Sequence, residues 1–258
     1  MPDTEHQGQK HPWHTWPGRA LHSEELGSAL RKICPPSLRP KAGALRARLF
    51  PPDRSQVFSS IYRNATWGSD LETVSGPGST LEETAVVRQE LPGLLRRFGA
   101  RSLLDAPCGD LYWMKECDLG DVDYIGMDVV PAMIDAISQQ LAAPRRRFLV
   151  GDIVKDDLPK ADVILCRDCL VHLPTPDVIA ALRNFKRSGS TYLLTTTFTD
   201  RTDNDDLPAA GGWRPLNLVH RPFLLPDPVL VLNEHSRYAD GAYPDKSLGL
   251  WDLSSLPL

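Results

Sequence analysis

The sequence lacks the features that would assign it to a membrane, secreted or nucleic-acid-binding class. No run approaches the roughly 18 consecutive apolar residues of a membrane span, and the N-terminus has no apolar stretch typical of a secretory signal. The formal net charge is −4, so no excess of Lys and Arg predicts contact with phosphate backbones. We therefore expect a cytoplasmic protein, a monomer or a homodimer, that binds neither membranes nor nucleic acids.

Cysteines are also few. The 258 residues include five Cys, an odd number that favours reduced thiols over a disulfide framework. Cys166 and Cys169 form a C-x-x-C pair, but no second pair has the spacing of a zinc site. We therefore interpret these thiols as packing residues and predict no metal.

The composition, 41% apolar and 24% charged, is that of an ordinary globular chain. Residues 1–57 are rich in Pro, His, Arg and Gln, which predicts a partly ordered extension with a short helix near residues 23–33. Residues 58–99 are predicted to cover the site as a lid, in which the stretch SGPGS leads into a helix from about residue 79 to 99 that Pro92 kinks or splits. Residues 100–258 are predicted to form the main domain.

Strand and helix patterns alternate from residue 100 onward, which indicates βαβ units and a parallel sheet. Two later strands without a clear helix between them predict an antiparallel hairpin. The predicted fold class is therefore α/β, a doubly wound, Rossmann-like sheet of seven strands that is mostly parallel and ends in a C-terminal antiparallel hairpin. The predicted strands are 102–106, 124–127, 148–150, 162–166, 192–197, 229–233 and 248–253, and the predicted helices between them are 131–141 and, with Thr175 as N-cap, 176–187.

The first predicted strand ends in the turn DAPCGD, where a nucleotide-binding turn usually carries three glycines. Only Gly109 is present, and Asp110 would repel a pyrophosphate. The two acids of the turn, Asp105 and Asp110, suit a cation instead, such as the ammonium and sulfonium groups of S-adenosylmethionine (SAM). The turn therefore argues against a dinucleotide and for SAM.

Acids also follow the next two strands. Asp128 ends the second strand, 23 residues after Asp105, at the position where a carboxylate can accept both ribose hydroxyls. Asp152 follows the third strand, where it can accept from an exocyclic amine such as that of adenine while Ile153 packs on the ring. An Asp after a strand is often only a turn former, but three in succession predict one ligand site.

These stretches resemble the motifs of class I SAM-dependent methyltransferases. LLDAPCGDL resembles the family's first motif, YIGMD the second, GDI the acidic adenine contact, and DVILCRDCLVHLP the segment after the fourth strand. The resemblance covers about residues 100–258. It implies that Asp105 and Gly109 lie against the methionine part, Asp128 holds the ribose, and Asp152 and Ile153 hold the adenine. Further cofactor contacts are expected from Cys108, Asp110, Trp113 and Arg167.

The chain departs from the family pattern at two places. Pro107 and Leu111 replace family glycines, so that Leu111 and Trp113 either close over the cofactor or block its site. The stretches SGPGST, WRPLN and DKSLGLW resemble a small bacterial and fungal subgroup. No substrate class follows from that likeness.

His172, just past the fourth strand, is the candidate general base, because its pKa suits proton transfer near neutral pH. The alternative is that it packs on the cofactor or caps a turn. Arg214 and Lys246 would suit an anionic acceptor, although charged residues that merely flank turns fit equally well. The predicted substrate-binding residues are Trp67, Ser79, Trp213, Arg214, Asn217, Tyr243 and Lys246.

The functional hypothesis is SAM-dependent methyl transfer to an oxygen or nitrogen of a small polar or anionic metabolite, such as a carboxylate or hydroxyl. The alternative is a non-catalytic binding module with a methyltransferase fold, which the altered turn at Pro107 and Leu111 suggests. An NAD-dependent oxidoreductase would require the missing glycines.

Overall fold

The computed structural model describes residues 53–68 and 72–258, which build a seven-stranded sheet between two layers of helices. The predicted extension, including its helix near residues 23–33, lies outside the described residues up to residue 52. In the part of the chain that is described, no helix is both long and apolar enough to cross a bilayer.

The elements follow one another in the alternating order that the sequence predicts. The helices are α1 (Arg54–Arg63), α2 (Ala85–Arg97), α3 (Pro131–Leu141) and α4 (Thr175–Arg187), with a short helical turn at Tyr238–Gly241. The strands are β1 (Ser102–Asp105), β2 (Asp123–Asp128), β3 (Arg146–Val150), β4 (Val163–Cys166), β5 (Tyr192–Phe198), β6 (Leu230–Asn233) and β7 (Lys246–Asp252). Short 3₁₀ turns occupy Pro77–Ser79, Met114–Glu116, Leu170–His172 and Leu253–Ser255.

The strand order is β3-β2-β1-β4-β5-β7-β6. The first five are parallel, and β7 pairs antiparallel with both β5 and β6. The chain moves outward from β1 to β3 and then crosses to β4 on the other side of β1. The order of the strands therefore reverses between β1 and β4, which is the place where open α/β sheets bind ligands.

Alternate residues of the central strands point to two different cores. Leu104 and Ile164 face the layer that contains α4, whereas Leu103 and Val163 face the layer that contains α2 and α3. Because both faces are covered, the central strands are continuous apolar runs rather than alternating ones. The predicted fold class, including the C-terminal antiparallel hairpin, is confirmed.

The predicted N-terminal ends of two helices were wrong. The helix predicted from residue 79 begins at Ala85 and continues undivided through Pro92. Glu83, just before this helix, accepts hydrogen bonds from the Ser236 hydroxyl (2.6 Å) and the Arg237 amide (2.9 Å). The Glu83 carboxylate therefore binds residues distant in sequence, although local propensity would place it at the N-terminal end of the helix.

The second correction concerns α4. Its N-cap is Pro174, not Thr175, and no side chain caps it from that position. The Thr175 amide donates to Asp206 Oδ1 at 2.7 Å, so an acid from the loop after β5 satisfies this helix end.

The predicted domain division is not tested by this architecture. Helix α1 runs across the expected boundary at residue 57.

Candidate active site

A cavity lies at the carboxyl edge of β1 to β4, where the strand order reverses. All nine residues predicted to contact the cofactor line it, together with the predicted base and two of the predicted substrate-binding residues. These twelve are Asp105, Cys108, Gly109, Asp110, Trp113, Asp128, Asp152, Ile153, Arg167, His172, Trp67 and Ser79. The topology thus brings together side chains that are spread over more than a hundred positions of the sequence.

Asp105 and Asp128 are buried at the ends of β1 and β2. The Tyr124 hydroxyl donates to Asp105 Oδ2 at 2.6 Å, and the amides of Gly109 and Val130 donate to the two oxygens of Asp128 at 3.2 and 3.0 Å. Burial raises the pKa of Asp105 to about 7 despite the bond from Tyr124, with a further rise from the charge of Asp128. Burial likewise raises the pKa of Asp128 to about 6. A cation bound beside these carboxyl groups would favour their ionised forms.

Asp152, at the end of β3, is engaged by a residue that the sequence did not single out. Arg54 Nε of α1 lies 2.9 Å from Asp152 Oδ2, and Arg54 Nη1 lies 2.9 Å from Asp177 Oδ2. The Val154 amide also donates to Asp152 Oδ1 at 2.9 Å. Any adenine amine would share this carboxylate with Arg54, so the adenine assignment stays a prediction.

The turn after β1 is held by the segment that precedes α2. Gly109 has φ 57°, and a Cβ on it would lie 2.6 Å from Ser75 Oγ, so the position requires glycine for two reasons. The Asp110 carboxylate accepts from Thr73 Oγ1 (2.7 Å), the Val74 amide (3.0 Å) and Ser75 Oγ (3.0 Å). Asp110 therefore fastens residues 73–75 over the turn, a role that the sequence did not indicate.

Leu111 does not obstruct the cavity. It adopts φ 60°, is 1% exposed and packs in the core on the α2 side of the sheet, outside the cavity lining. Trp113 does line the cavity, and the Arg167 guanidinium lies over its ring, 5.5 Å from the centroid. The Leu111 side chain, which replaces a family glycine, therefore packs in the core. Of the two bulky residues, only Trp113 forms part of the cavity wall.

A buried ionic cluster stands at the end of β4. Arg167 Nη2 lies 2.6 Å from Glu234 Oε2, and Lys246 Nζ lies 2.7 Å from Asp168 Oδ2 and 3.3 Å from Glu234 Oε2. Burial alone would raise the pKa of Asp168, but Lys246 and Arg167 outweigh it and lower the pKa to about 2. Asp168 lines the cavity and is therefore an ionised wall residue that the sequence analysis missed.

His172 is fixed from two sides. Its Nδ1 lies 2.6 Å from the Gly212 carbonyl oxygen, and the Trp67 ring stacks on the imidazole with the centroids 4.4 Å apart. A carbonyl can only accept, so Nδ1 carries the hydrogen and Nε2 keeps its lone pair. Burial lowers the pKa of His172 below its ordinary value. The side chain is thus a neutral imidazole in a fixed tautomer at neutral pH.

Five residues predicted to bind substrate do not line the cavity. They are Trp213, Arg214, Asn217, Tyr243 and Lys246. Arg214 is buried and donates to the carbonyls of Leu170, Val171 and Asp205 at 2.9–3.1 Å.

The other four have partners of their own. Asn217 donates to the carbonyls of Thr199 and Arg201 at 3.2 and 2.9 Å. Trp213 and Tyr243 pack edge to face, with centroids 5.0 Å apart, and Lys246 belongs to the ionic cluster. The placement of Arg214 and Asn217 favours structural roles in the loop after β5.

Helix α1 contributes four cavity residues, one from the predicted extension (1–57) and three from the segment predicted to cover the site (58–99). Arg54, Phe58, Ile61 and Tyr62 line the cavity and follow helical spacing on one face. That spacing is a signal the sequence does contain. Their partners around the cavity come from distant positions and have no such signal.

Part of this chain is similar to known methyltransferases. Residues 103–189 match the family model described as "Methyltransferase domain". The chain is 31% identical over 113 residues to malonyl-[acyl-carrier protein] O-methyltransferase of Serratia marcescens. That match spans 43% of this chain and 44% of the relative.

Two solved structures share the fold over most of the chain. Burkholderia thailandensis 1,6-didemethyltoxoflavin-N1-methyltransferase, with bound 1,6-didemethyltoxoflavin and S-adenosylhomocysteine (SAH), is 18% identical with a TM-score of 0.51, covering 82% of this chain and 88% of its own. PigF with SAH is 15% identical with a TM-score of 0.53, covering 88% of this chain and 72% of its own. The likeness to these two structures shows the fold, a Rossmann-like sheet, and the family model adds that residues 103–189 are similar to methyltransferase domains.

Proposed function

We propose that the protein transfers a methyl group from SAM to an oxygen or nitrogen of a small metabolite. The observation that carries this proposal is the set of three acids, Asp105, Asp128 and Asp152, at three neighbouring strand ends around one cavity. The methyltransferase domain over residues 103–189 supports it, as do the SAH-bound structures with the same fold.

The cavity lining has the charge that a cationic cofactor requires. Five aspartates and two arginines line it among the described residues. Asp105, Cys108, Gly109 and Trp113 would hold the methionine part, and Asp128 would accept from the ribose hydroxyls.

Asp152 and Ile153 would hold the adenine, and Arg167 would support the wall through Trp113. When bound, SAM supplies an electrophilic methyl group on a sulfonium. The same lining gives a pyrophosphate no favourable environment, which argues against NAD.

His172 is the proposed general base. Its hydrogen bond to Gly212 leaves Nε2 as the acceptor, and its lowered pKa keeps it neutral at physiological pH. A carboxylate acceptor would need no such base, whereas a hydroxyl acceptor would. The tautomer therefore supports an acceptor that loses a proton.

The segment before α2 acts as a covering element in this proposal. Trp67, Ser75 and Ser79 line the cavity, and Asp110 fastens residues 73–75 to the turn. The non-catalytic alternative rested on Pro107 and Leu111. Leu111 gives this alternative little support, because its side chain packs outside the cavity.

Isothermal titration with SAM, SAH and NAD tests the proposal. We expect micromolar binding of SAM and SAH and none of NAD. Asp128→Ala should weaken SAH binding at least about tenfold, the typical cost of losing hydrogen bonds to a charged group. Asp135→Ala, a change on the exposed face of α3, is the matched control. Failure of the wild-type protein to bind either sulfur ligand would contradict the function.

A further inference from the structure

The strand order indicates where the methyl acceptor lies. The ends of β3, β2, β1 and β4 follow one another along the cavity, marked by Asp152, Asp128, Asp105 and Asp168. The proposed function places the adenine at β3, the ribose at β2 and the methionine part at β1. The group beyond the methionine end therefore meets the end of β4, where Asp168 and His172 line the wall.

Asp168 is held in place through one of its two oxygens. Oδ2 receives Lys246 Nζ at 2.7 Å and Arg167 Nη1 at 3.3 Å. Oδ1 has one long contact, 3.4 Å to Thr196 Oγ1, and the side chain is 20% exposed. An ionised carboxylate oxygen with spare lone pairs on a cavity wall is an acceptor for a ligand's O–H or N–H.

The backbone around Asp168 fixes this placement. Asp168 adopts φ 49°, and its amide donates to Thr196 Oγ1 at 2.8 Å. A Cβ on Gly78 would lie 2.5 Å from Asp168 Oδ2, so the SGPGS stretch packs directly on the carboxylate. The covering segment and β5 together leave this side chain little freedom.

The cations near this wall are already neutralised. Arg167 and Lys246 pair with Asp168 and Glu234, two positive charges against two negative ones. Arg54, the other arginine of the lining, pairs with Asp152 and Asp177. Among the described lining residues, no unpaired arginine is left to bind an acceptor anion.

We propose that Asp168 determines acceptor specificity: its Oδ1 accepts a hydrogen bond from the hydroxyl or amino group that receives the methyl. The acceptor is accordingly an alcohol, a phenol or an amine, not a carboxylate. This inference rests on the proposed function and replaces the anionic acceptor that Arg214 and Lys246 suggested.

The reaction balances with groups already named. The acceptor's oxygen or nitrogen lone pair forms a bond to the methyl carbon while the carbon–sulfur bond breaks. The electron pair of that bond stays on sulfur and neutralises the sulfonium, giving SAH. An amine can donate one N–H to Asp168 Oδ1 and lose another proton to His172 Nε2. A hydroxyl has one proton, which Asp168 Oδ1 accepts as a hydrogen bond in the bound state and which moves to His172 Nε2 as the bond to the methyl carbon forms. Asp168 orients the donor and does not take the proton.

The acceptor charge preference of the wild-type protein is the first test. Labelled SAM is supplied with compounds matched in ring and size that carry a phenol, a benzylic alcohol, an amine or a carboxylate. We expect methylation of hydroxyl or amino compounds with kcat/KM at least about tenfold above that of the matched carboxylate. Preferred methylation of carboxylates overturns the proposal. It is also overturned if no hydroxyl or amino compound is methylated and none binds in the presence of SAH.

Asp168→Asn is the second test, with Asp135→Asn on the exposed face of α3 as the matched control. We expect KM for the acceptor to rise about tenfold or more while the Kd for SAH stays within about twofold. Lys246 and Arg167 would hold the amide oxygen of the new side chain, so its NH₂ group, which cannot accept a hydrogen bond, would face the acceptor. An unchanged KM, or an equal loss of SAH binding, overturns the assignment. If wild-type protein binds no SAH, the proposed function fails instead, and the two failures are distinct.

Discussion

Asp105 and Asp128 are single residues at which ligand binding is expected to be coupled to protonation. Each is buried at a strand end, and burial raises their pKa values to about 7 and 6. The sequence marks both as strand-terminal acids. It does not reveal their proton affinity, which depends on the depth of burial.

SAM binding should therefore release a proton from Asp105. A group with a raised pKa is protonated below that pKa, and a bound cation favours its ionised form, so affinity rises with pH through about 7. We expect the Kd for SAM to weaken about tenfold from pH 8 to pH 6. Titrations in buffers of different ionisation enthalpy measure the number of protons released on binding. The variant Asp105→Asn cannot titrate at this position, so its pH dependence gives the contribution of the ligand's own amino group. A pH dependence identical in the variant would refute this linkage.

His172 gives a second prediction at this scale. Its pKa is lowered, so the active neutral form persists below the ordinary value near 6.5 and is lost only at lower pH. The acidic limb of the kcat profile should fall below pH 6.5, and His172→Gln should lower kcat by about 10²–10⁴. Unchanged turnover in the variant would reduce His172 to a packing partner of Trp67.

At the scale of elements, the turn after β1 and the segment over it act as one unit. Gly109 and Ser75 are in close approach, and Asp110 holds three groups of residues 73–75. Sequence reasoning identified the turn by its single glycine. It could not identify the covering partner, because residues 73–75 carry no pattern that points to Asp110.

Alanine substitutions can distinguish the effect of positive φ at Gly109 from the effect of its close contact with Ser75. Gly109→Ala and Gly120→Ala both place alanine at positive φ, 57° and 56°, but only at Gly109 does a Cβ meet another atom within 4 Å. Both should lose about 1 kcal/mol of stability from strain. We expect Gly109→Ala alone to weaken SAH binding, measured by titration, as residues 73–75 are displaced. Equal binding by the two variants would count against a role for the segment.

Helix α1 is the element that sequence reasoning undervalued. Phe58, Ile61 and Tyr62 lie in the segment predicted to cover the site, but the polar composition of residues 1–57 suggested an extension that includes Arg54. Arg54 joins it to Asp152 and Asp177 on two different elements. Such contacts depend on how the sheet folds back and have no local signature.

At the scale of the whole molecule, the cavity is a product of strand order. The reversal between β1 and β4 gathers residues 105, 128, 152 and 168 at one edge. Ligand binding at this edge joins four strand ends, so it should stabilise the fold as a whole.

We expect this stabilisation in thermal unfolding. SAH at one hundred times its Kd should add about 2.7 kcal/mol, which corresponds to a rise in Tm of roughly 5–10 °C for a domain of this size. NAD at the same concentration should leave Tm unchanged and serves as the control. A rise in Tm with NAD but not with SAH would contradict the proposed cofactor.

The sequence by itself determined the strand and helix alternation, the C-terminal hairpin and the three acids at strand ends. These features are local, because apolar periodicity and turn chemistry act over a few residues. The nine residues that the sequence predicted to contact the cofactor all line the cavity, and their contact with a cofactor stays a prediction. Two predictions were wrong, the helix start at residue 79 and the N-cap at Thr175. At both helix ends a residue distant in sequence makes the hydrogen bonds: Ser236 bonds to Glu83, and Asp206 accepts from the Thr175 amide.

Only the tertiary structure decided which charges face the ligand. Arg214 and Lys246 look alike in the sequence as free cations, but folding buries one among backbone carbonyls and pairs the other with Asp168 and Glu234. Whether a cation is left to bind an anionic ligand depends on the carboxylates beside it, and these come from strands and loops far apart in the chain. The acceptor preference therefore depends on packing that no local pattern encodes.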